Sequence, residues 1–448
     1  MALDTLKVKP VVEVATEYTA VHDIAVLINA VYQYNLELTQ AGRVHKRIAN
    51  KYLEQLNGLP RFTYNDDDYY AEMLFKCMQG MQLIQVTQPP LPEMKMTIET
   101  GPELANWAGL SLIEQTRRLV KLWSQKQIAW QDLIDANNVA YNWSYYYNVD
   151  PANGRLTLLQ QLKTCKPGQW YSTDSLLRRI FEEDPLSLRK NIRFLSKTEQ
   201  HKIKKELDTW LGTDGQFYNG MLSSSLYEFG LVDLAFTEEE AKNEWDTRHP
   251  YAFRLTTLGA TLLVENKNEN EQPDTTTQDQ HTNNEGRAGF IVQPNFEILL
   301  LQQDMPALYS ILPFAQVSQI GNVSTLKLTS ASVLRGLKAG LKIDQIIQTL
   351  TERNHKELPQ NVVYTVRDWA KQYKEVRVSQ AFLIEIPEES TIKQLYASGK
   401  LQKTNIRQLT PTLLAIDSDI SVSDLKNALE KEGLALHLHG HFNNQSKR

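Results

Sequence analysis

A long polar segment divides this chain and limits how it can fold. Residues 265–287 read ENKNENEQPDTTTQDQHTNNEGR and contain no aliphatic or aromatic side chain. Such a segment cannot bury enough apolar surface to offset the conformational entropy that is lost when a chain becomes ordered. The composition therefore predicts a flexible, disordered linker over residues 265–288, with folded structure before and after it.

The length and composition indicate a soluble protein of several domains. The chain has 448 residues, whereas single domains cluster near ~100–150 residues. Its hydrophobic content of 42% and charged content of 23% are typical of globular proteins. No secretory signal and no run of about 20 apolar residues is found, so no membrane partner is expected. The two cysteines, Cys77 and Cys165, form no CxxC pair, which favours a reduced, cytoplasmic location.

The part before the linker is predicted to be mostly helical and to form two winged-helix-like units, residues 1–150 and 151–264. In the first unit, two helices precede a hairpin, which is the order of a winged helix. In that unit a basic helix follows a turn at Gly42. The second unit has a helix capped at Ser172 or Thr173, and it also ends as a winged helix does. The main predicted elements are helices Val21–Tyr34, Tyr69–Gln82, Ser111–Gln125 and Phe217–Phe229, and strands Leu83–Thr87 and Met94–Ile98.

The part after the linker alternates strands and helices. A hairpin is predicted over Phe290–Leu301 with its turn at Pro294-Asn295, and Thr329 is expected to cap a helix that stops at Gly340. Residues 289–390 are predicted to form a small α/β domain, followed by a smaller α/β piece and tail at 391–448, with strands Glu375–Val378, Ala381–Ile386 and Thr412–Ile416. The fold class is thus α+β with several domains.

The motifs of common enzymes are absent from the sequence. It contains no GxxxxGK[ST] phosphate loop, no GxGxxG, no HExxH and no GxSxG. These absences argue against an ATPase, a dehydrogenase, a zinc protease or an α/β hydrolase. We therefore expect a protein that is not an enzyme and needs no cofactor.

Three further clusters contain residue types that could form a site, and each has a simpler structural explanation. The carboxylates in Asn65–Asp68 fit the positive end of a helix dipole better than a metal site. His437, His439 and His441 alternate and could chelate a metal, but they lie in a polar tail. The aromatic run Tyr141–Val149 could stack bases, although a core role is more common. No metal site is predicted.

The basic residues form the most coherent pattern. Between Arg287 and Val378, eleven Lys and Arg face seven Asp and Glu, a net charge of +4 in a chain that carries −5 overall. These cations can form an ordinary solvated helix face, or they can contact phosphates without reading sequence. The candidate DNA-contact residues are Arg335, Lys338, Lys342, Arg367, Lys371 and Lys374 after the linker, and Arg43, Lys46 and Arg47 before it.

The segments IVQPNFEILL and LKLTSASVLRGLKAGLKIDQIIQTLTERNHKELPQNVVYTVRDWAKQYKEVRV carry a family resemblance. In their order and spacing they resemble the N-terminal, helicase-associated domain of XPB-type DNA helicases, which also occurs in proteins that lack the motor. Upstream, LELTQAGRVHKRIANKYL and LSLIEQTRRLVKLW look like the winged-helix segments of those stand-alone proteins.

The resemblance implies a DNA-binding accessory protein that assists a separate helicase, ATPase or nuclease subunit in DNA repair or transcription. It supplies no catalytic residue. Two alternatives stay open from the sequence. The acidic net charge and the linker suit a protein-interaction scaffold, and the winged-helix-like units suit a sequence-specific transcription regulator.

Overall fold

The computed structural model divides the chain into two compact units, Met1–Tyr373 and Lys374–Arg448. The structure describes residues 3–17, 19–57, 69–88, 95–125, 150–189, 196–242, 249–264, 289–374, 381–397, 406–417, 422–431, 433–435 and 437.

The first part of the larger unit packs helices against a small antiparallel sheet. In chain order it has α1 (Thr19–Gln33), β2 (Leu36–Glu37), α2 (Lys46–Leu53), α3 (Tyr69–Gly80), β3 (Ile84–Thr87) and β4 (Thr97–Thr100). The sheet order is β2-β4-β3, and Ile98 faces both Leu36 and Val86. Two further helices, α4 (Leu104–Ala108) and α5 (Leu112–Ser124), follow. Ser111 caps α5 by accepting a hydrogen bond from the Glu114 N–H at 3.3 Å.

The next part repeats that order with an insertion. Its helices are α6 (Pro151–Leu162), α7 (Thr173–Glu183), α8 (Lys197–Lys205), α9 (Leu207–Leu211), α10 (Asp214–Met221) and α11 (Thr257–Val264). A π-helical turn, Leu222–Leu226, continues α10. The strands β5 (Trp170–Ser172), β6 (Val232–Phe236) and β7 (Ala252–Leu255) form an antiparallel sheet in the order β6-β7-β5. The strand β1 (Val12–Val14), from the start of the chain, extends this sheet beside β6.

Residues 289–373 complete the larger unit. The sheet order is β10-β11-β9-β8, and its strands are β8 (Ile291–Val292), β9 (Glu297–Leu300), β10 (Gln316–Gln319) and β11 (Ser324–Lys327). The helices are α12 (Met305–Ile311), α13 (Ser330–Lys338), α14 (Ile343–Glu352) and α15 (Gln360–Lys371). Gly336 lets α13 pack closely against Phe314, because a Cβ at position 336 would lie 2.7 Å from the Phe314 Cβ.

Helix α1 joins the first and last parts of the larger unit. Its buried Asn29 donates to the carbonyls of Leu312 and Ala315, both at 2.9 Å, and accepts from the Val317 N–H at 3.3 Å. The Trp107 indole N–H donates to the Tyr309 hydroxyl at 2.7 Å. One continuous cluster of buried apolar side chains runs through these parts. The buried polar contacts fix the packing because any of these groups left unpaired would cost free energy.

The smaller unit has its own core. Strands β12 (Ala381–Glu385), β13 (Ile406–Thr410) and β14 (Leu413–Asp417) form an antiparallel sheet in the order β12-β14-β13. The smaller unit also contains helices α16 (Glu389–Ala397) and α17 (Val422–Glu430). The buried side chains are Ile384, Ile386, Ile392, Leu414, Ile416 and Leu429.

The structure confirms the predicted α+β class and several local signals. Thr329 accepts from the Ser332 N–H at 3.1 Å, and Gly340 ends α13 with a φ of +94°. The hairpin over residues 290–301 is present, with Phe296 in the turn at a φ of +69°. The predicted strand Met94–Ile98 is wrong in its bounds, since β4 covers Thr97–Thr100.

Several predictions lie outside the described residues. These are the linker at 265–288, the aromatic run at 141–149, the carboxylates at 65–68, the strand at 375–378, and His439 and His441. The predicted domain boundaries stay predictions, although β1 belongs to a sheet whose other strands lie in residues 151–264. No helix among the described residues has the length and apolar character needed to cross a bilayer.

Candidate nucleic-acid interface

Helix α2 presents cations on one side and packs the other against the core. Ala49, Tyr52 and Leu53 are buried, whereas Lys46 and Arg47 are exposed. This division follows from the helical repeat, because residues three or four apart share a face. The sequence therefore places both predicted α2 cations where a phosphate can reach them.

The third predicted cation before the linker, Arg43, lies in the turn that precedes α2. Its Nε is 2.9 Å from a carboxylate oxygen of Glu72 on α3. Arg43 and Lys76 also line a cavity of about 310 Å³ between this turn, α3 and the β3-β4 hairpin. Arg43 thus links the turn to α3 and remains exposed at the surface.

The six predicted cations after the linker differ in their surroundings. Arg335 is half-buried, whereas the other five are exposed. The Arg335 guanidinium donates to the Ala315 carbonyl at 3.1 Å. Burial lowers the pKa of Arg335 to about 10, an effect that the neighbouring Tyr34 opposes. Arg335 therefore directs hydrogen-bond donors into the protein, and Lys338, one turn later on α13, faces solvent.

Two cations on α15 form ion pairs with aspartates. Arg367 Nη2 lies 3.0 Å from Asp344 on α14, and Lys371 Nζ lies 3.3 Å from Asp368. All four side chains are largely exposed, so water and salt screen these pairs. An exposed pair of this kind can exchange its carboxylate for a phosphate at little cost. Lys342 is exposed before α14, and Lys374 belongs to the smaller unit.

Tyr34, just after the end of α1, interacts with one cation of α2 and one cation of α13. Lys51 on α2 lies with its Nζ 5.0 Å from the centre of the Tyr34 ring, within cation–π range. Burial raises the pKa of Tyr34, and the positive charge of Arg335 opposes that rise. Lys51 of α2 and Arg335 of α13 thus both interact with this tyrosine, although more than 270 residues separate the two helices in the chain. Lys46 and Arg47 share α2 with Lys51, and Lys338 shares α13 with Arg335. We call these five cations of the two helices the Tyr34 basic cluster.

The sequence prediction missed one exposed basic helix among the described residues. Helix α8 reads KTEQHKIKK, and only Ile203 is buried in it. The signal was available, because Ser196 and Glu199 form a complete capping box, with bonds of 2.8 and 3.2 Å. Only one apolar side chain marks the helix, so a search for hydrophobic periodicity overlooks it.

The described residues bear on two kinds of reactive site, a metal site and a reactive thiol. No group of three or more metal-binding side chains is present there. Burial raises the pKa of the Cys77 thiol to about 12 and that of Cys165 to about 11. These thiols therefore stay protonated near neutral pH and are poor nucleophiles.

Comparison with known proteins bears on the region after the linker. Residues 290–410 match the model of a family described as "Helicase conserved C-terminal domain". An uncharacterized protein of Treponema pallidum (strain Nichols) is 24% identical over 112 residues, which is 25% of this chain and 15% of that protein. The chain thus spans only a small fraction of that relative's length. The XPB-type character and the winged helices stay predictions, whereas the match shows that this chain carries a helicase-associated domain at residues 290–410.

Proposed function

We propose that this protein is a non-enzymatic DNA-binding accessory protein that assists a separate helicase or ATPase in DNA repair or transcription. The Tyr34 basic cluster is the observation that carries the proposal. Through Lys51 and Arg335, a helix of the first helical part and a helix of the helicase-associated domain both interact with the same tyrosine. Local groups of cations on a chain with net charge −5 favour a local polyanionic partner over general basicity.

The element order supports the same proposal. Two parts of the larger unit run helix, strand, helix, helix and hairpin, and in each the first strand pairs with the last. This order is the one expected of a winged helix, a helix-turn-helix variant used in DNA binding, and it supports the proposal. The XPB-type resemblance of residues 289–386 belongs to the proposal as well, with the expectation that a motor protein is supplied in trans.

Fluorescence anisotropy of the full chain with labelled single-stranded, duplex and forked DNA tests the proposal. We expect binding that weakens with salt between 50 and 200 mM, because each phosphate contact contributes about 0.9 to the logarithmic salt slope. The variant K46Q/R47Q should lower that slope by about 1.8 if both cations contact phosphates.

The matched control is K393Q/K426Q, which removes two lysines that pair with Glu389 and Glu430 in the smaller unit. It should bind DNA as the unaltered protein does. Absence of binding to all three DNAs, or binding that is insensitive to salt, would refute the proposal and favour a protein-interaction scaffold.

A further inference from the structure

In the second winged-helix-like part, the helix in the recognition position is buried. Helix α10 and the π-helical turn Leu222–Leu226 occupy the position between α7 and the β6-β7 hairpin. Phe217, Tyr218 and Met221 are buried, and so are most other residues from Asp214 to Phe229. A winged helix that reads DNA through this helix needs it exposed. This part must therefore contact any nucleic acid by another element.

The inserted helix α8 is exposed where α10 is not. At 3.6 residues per turn, Lys197, His201, Lys204 and Lys205 fall within an arc of about 100°. Ile203, which is 2% exposed, lies on the opposite side of the helix. Within the described chain, no ion pair engages Lys197, Lys204 or Lys205. The outer face of α8 therefore carries cations whose charge is available to a partner.

The core holds α8 in place through the short helix that follows it. Trp210 on α9 is fully buried, and its indole N–H donates to the Pro185 carbonyl at 2.9 Å. The Trp210 ring stacks on Tyr218 of α10, with 5.9 Å between the ring centres. Because this anchor lies on the inner side, side chains on the outer face of α8 can change without disturbing the core.

The chemistry of the face favours nucleic acid over a protein partner. Its exposed side chains are all polar, and protein interfaces are depleted in lysine and need an apolar centre. From Lys197 to Lys205 the helix rises about 12 Å, at 1.5 Å per residue. Duplex DNA presents one negative charge per about 1.7 Å of its axis, so several phosphates lie within reach of this face.

We propose that nucleic acid contacts the second winged-helix-like part along the inserted helix α8, through phosphate contacts of Lys197, Lys204 and Lys205, and not along the buried helix α10. This inference rests on the proposed function, since it assumes that the chain binds nucleic acid. The contact is electrostatic, so it adds affinity without sequence choice.

The test compares two double variants of the full chain, K197Q/K204Q and K163Q/K166Q. Both remove two exposed lysines from residues 150–264, and Gln has nearly the helix propensity of Lys. Anisotropy with labelled duplex DNA is measured between 50 and 200 mM salt. The K197Q/K204Q variant should lower the logarithmic salt slope by about 1.8. Its loss of affinity between 50 and 200 mM salt should therefore be about 12-fold smaller than that of the unaltered protein. The K163Q/K166Q control should match the unaltered protein.

The outcomes separate this inference from the proposed function. If the unaltered chain binds with salt dependence and neither variant differs from it, the α8 inference is wrong and the proposed function stands. If both variants weaken binding equally, a general charge effect replaces the α8 contact. If the unaltered chain binds no DNA but binds labelled poly-glutamate through Lys197 and Lys204, the partner is acidic protein and both proposals fail.

Discussion

His22 makes the stability of this protein depend on pH in a direction that the structure fixes. The side chain lies on α1 and is only 2% exposed. Its Nε2 has no hydrogen-bond partner, and the ring bonds to the backbone of Glu17. Burial lowers the pKa of His22 to about 4, from an ordinary value of 6.5. The imidazole is therefore neutral in the folded protein, because a protonated imidazole would be buried without hydration.

The sign and size of the effect follow from proton linkage. Because the folded pKa is depressed, the unfolded chain takes up the proton first as the pH falls. The contribution of His22 to stability is complete above pH 6.5 and is lost as the pH falls toward 4. The full shift corresponds to roughly 3.4 kcal/mol, and about 2 kcal/mol of it is lost by pH 5.

The perturbation is His22→Asn. The Asn side chain does not titrate, and its amide can donate a hydrogen bond from near the position of the ring nitrogen that contacts Glu17. Urea unfolding, followed by tryptophan fluorescence, gives the free energy of unfolding of both proteins between pH 7.5 and 5. The variant loses packing at every pH, so the informative quantity is the change in the difference between the two proteins. We expect that difference to shrink by about 2 kcal/mol over this range.

Other titrating groups are common to both proteins and cancel in this comparison. Parallel pH curves, within about 0.5 kcal/mol, would mean that His22 is not held neutral by burial. A histidine resonance of the folded protein that titrates near pH 6.5, and vanishes in the variant, would refute the reasoning directly.

Two further predictions follow from buried groups. Replacing Asn29 with Ala should reduce the free energy of unfolding by about 3 kcal/mol, because the carbonyls of Leu312 and Ala315 and the Val317 N–H lose their partner. Urea unfolding measures this free energy, and a loss below about 1 kcal/mol would contradict the prediction. The thiols of Cys77 and Cys165 should resist alkylation by iodoacetamide at pH 8 in the folded protein and react fully in urea, because burial keeps them protonated; fast labelling without denaturant would contradict this.

The sequence predicted best those features that depend on neighbouring residues. Ser111, Ser172 and Thr329 cap helices as expected, because a short side-chain oxygen reaches the N–H groups of the first turn. Gly42 and Gly340 have positive φ angles, which turns after β2 and α13 require. These signals are contained within a few residues and need no tertiary information.

Features that depend on distant residues could not be predicted in this way. The strand Val12–Val14 pairs with Phe236, Ala235 and Leu234, more than 200 residues away in the chain. The predicted bounds of β4 were wrong because the segment MKMTIET has the same alternation whether the strand starts earlier or later. The pairing of Ile98 with Leu36 selects the later bounds. Long-range pairing thus decided both elements.

The candidate interface shows the same division between local and distant causes. The cations of α2 and α15 could be found from charge spacing, since i, i+4 and i+7 positions share a helix face. That Arg335 donates inward to Ala315 could not be found, because burial of a guanidinium depends on the packing of α13 against α1. The exposed cations of α8 were not predicted because this helix has no apolar stripe.

The shared use of α1 determines how the two predicted halves can work. Asn29 fixes the backbone of residues 312–317 from within α1, and Tyr34, just after this helix, interacts with Lys51 and with Arg335. Cations from both sides of the predicted linker therefore keep a fixed spacing. In the proposed function, phosphate contacts made by one set would position the other set at little further entropic cost. A fragment that begins after the linker lacks α1 and would expose the buried surface it covers, so DNA binding must be tested on the full chain.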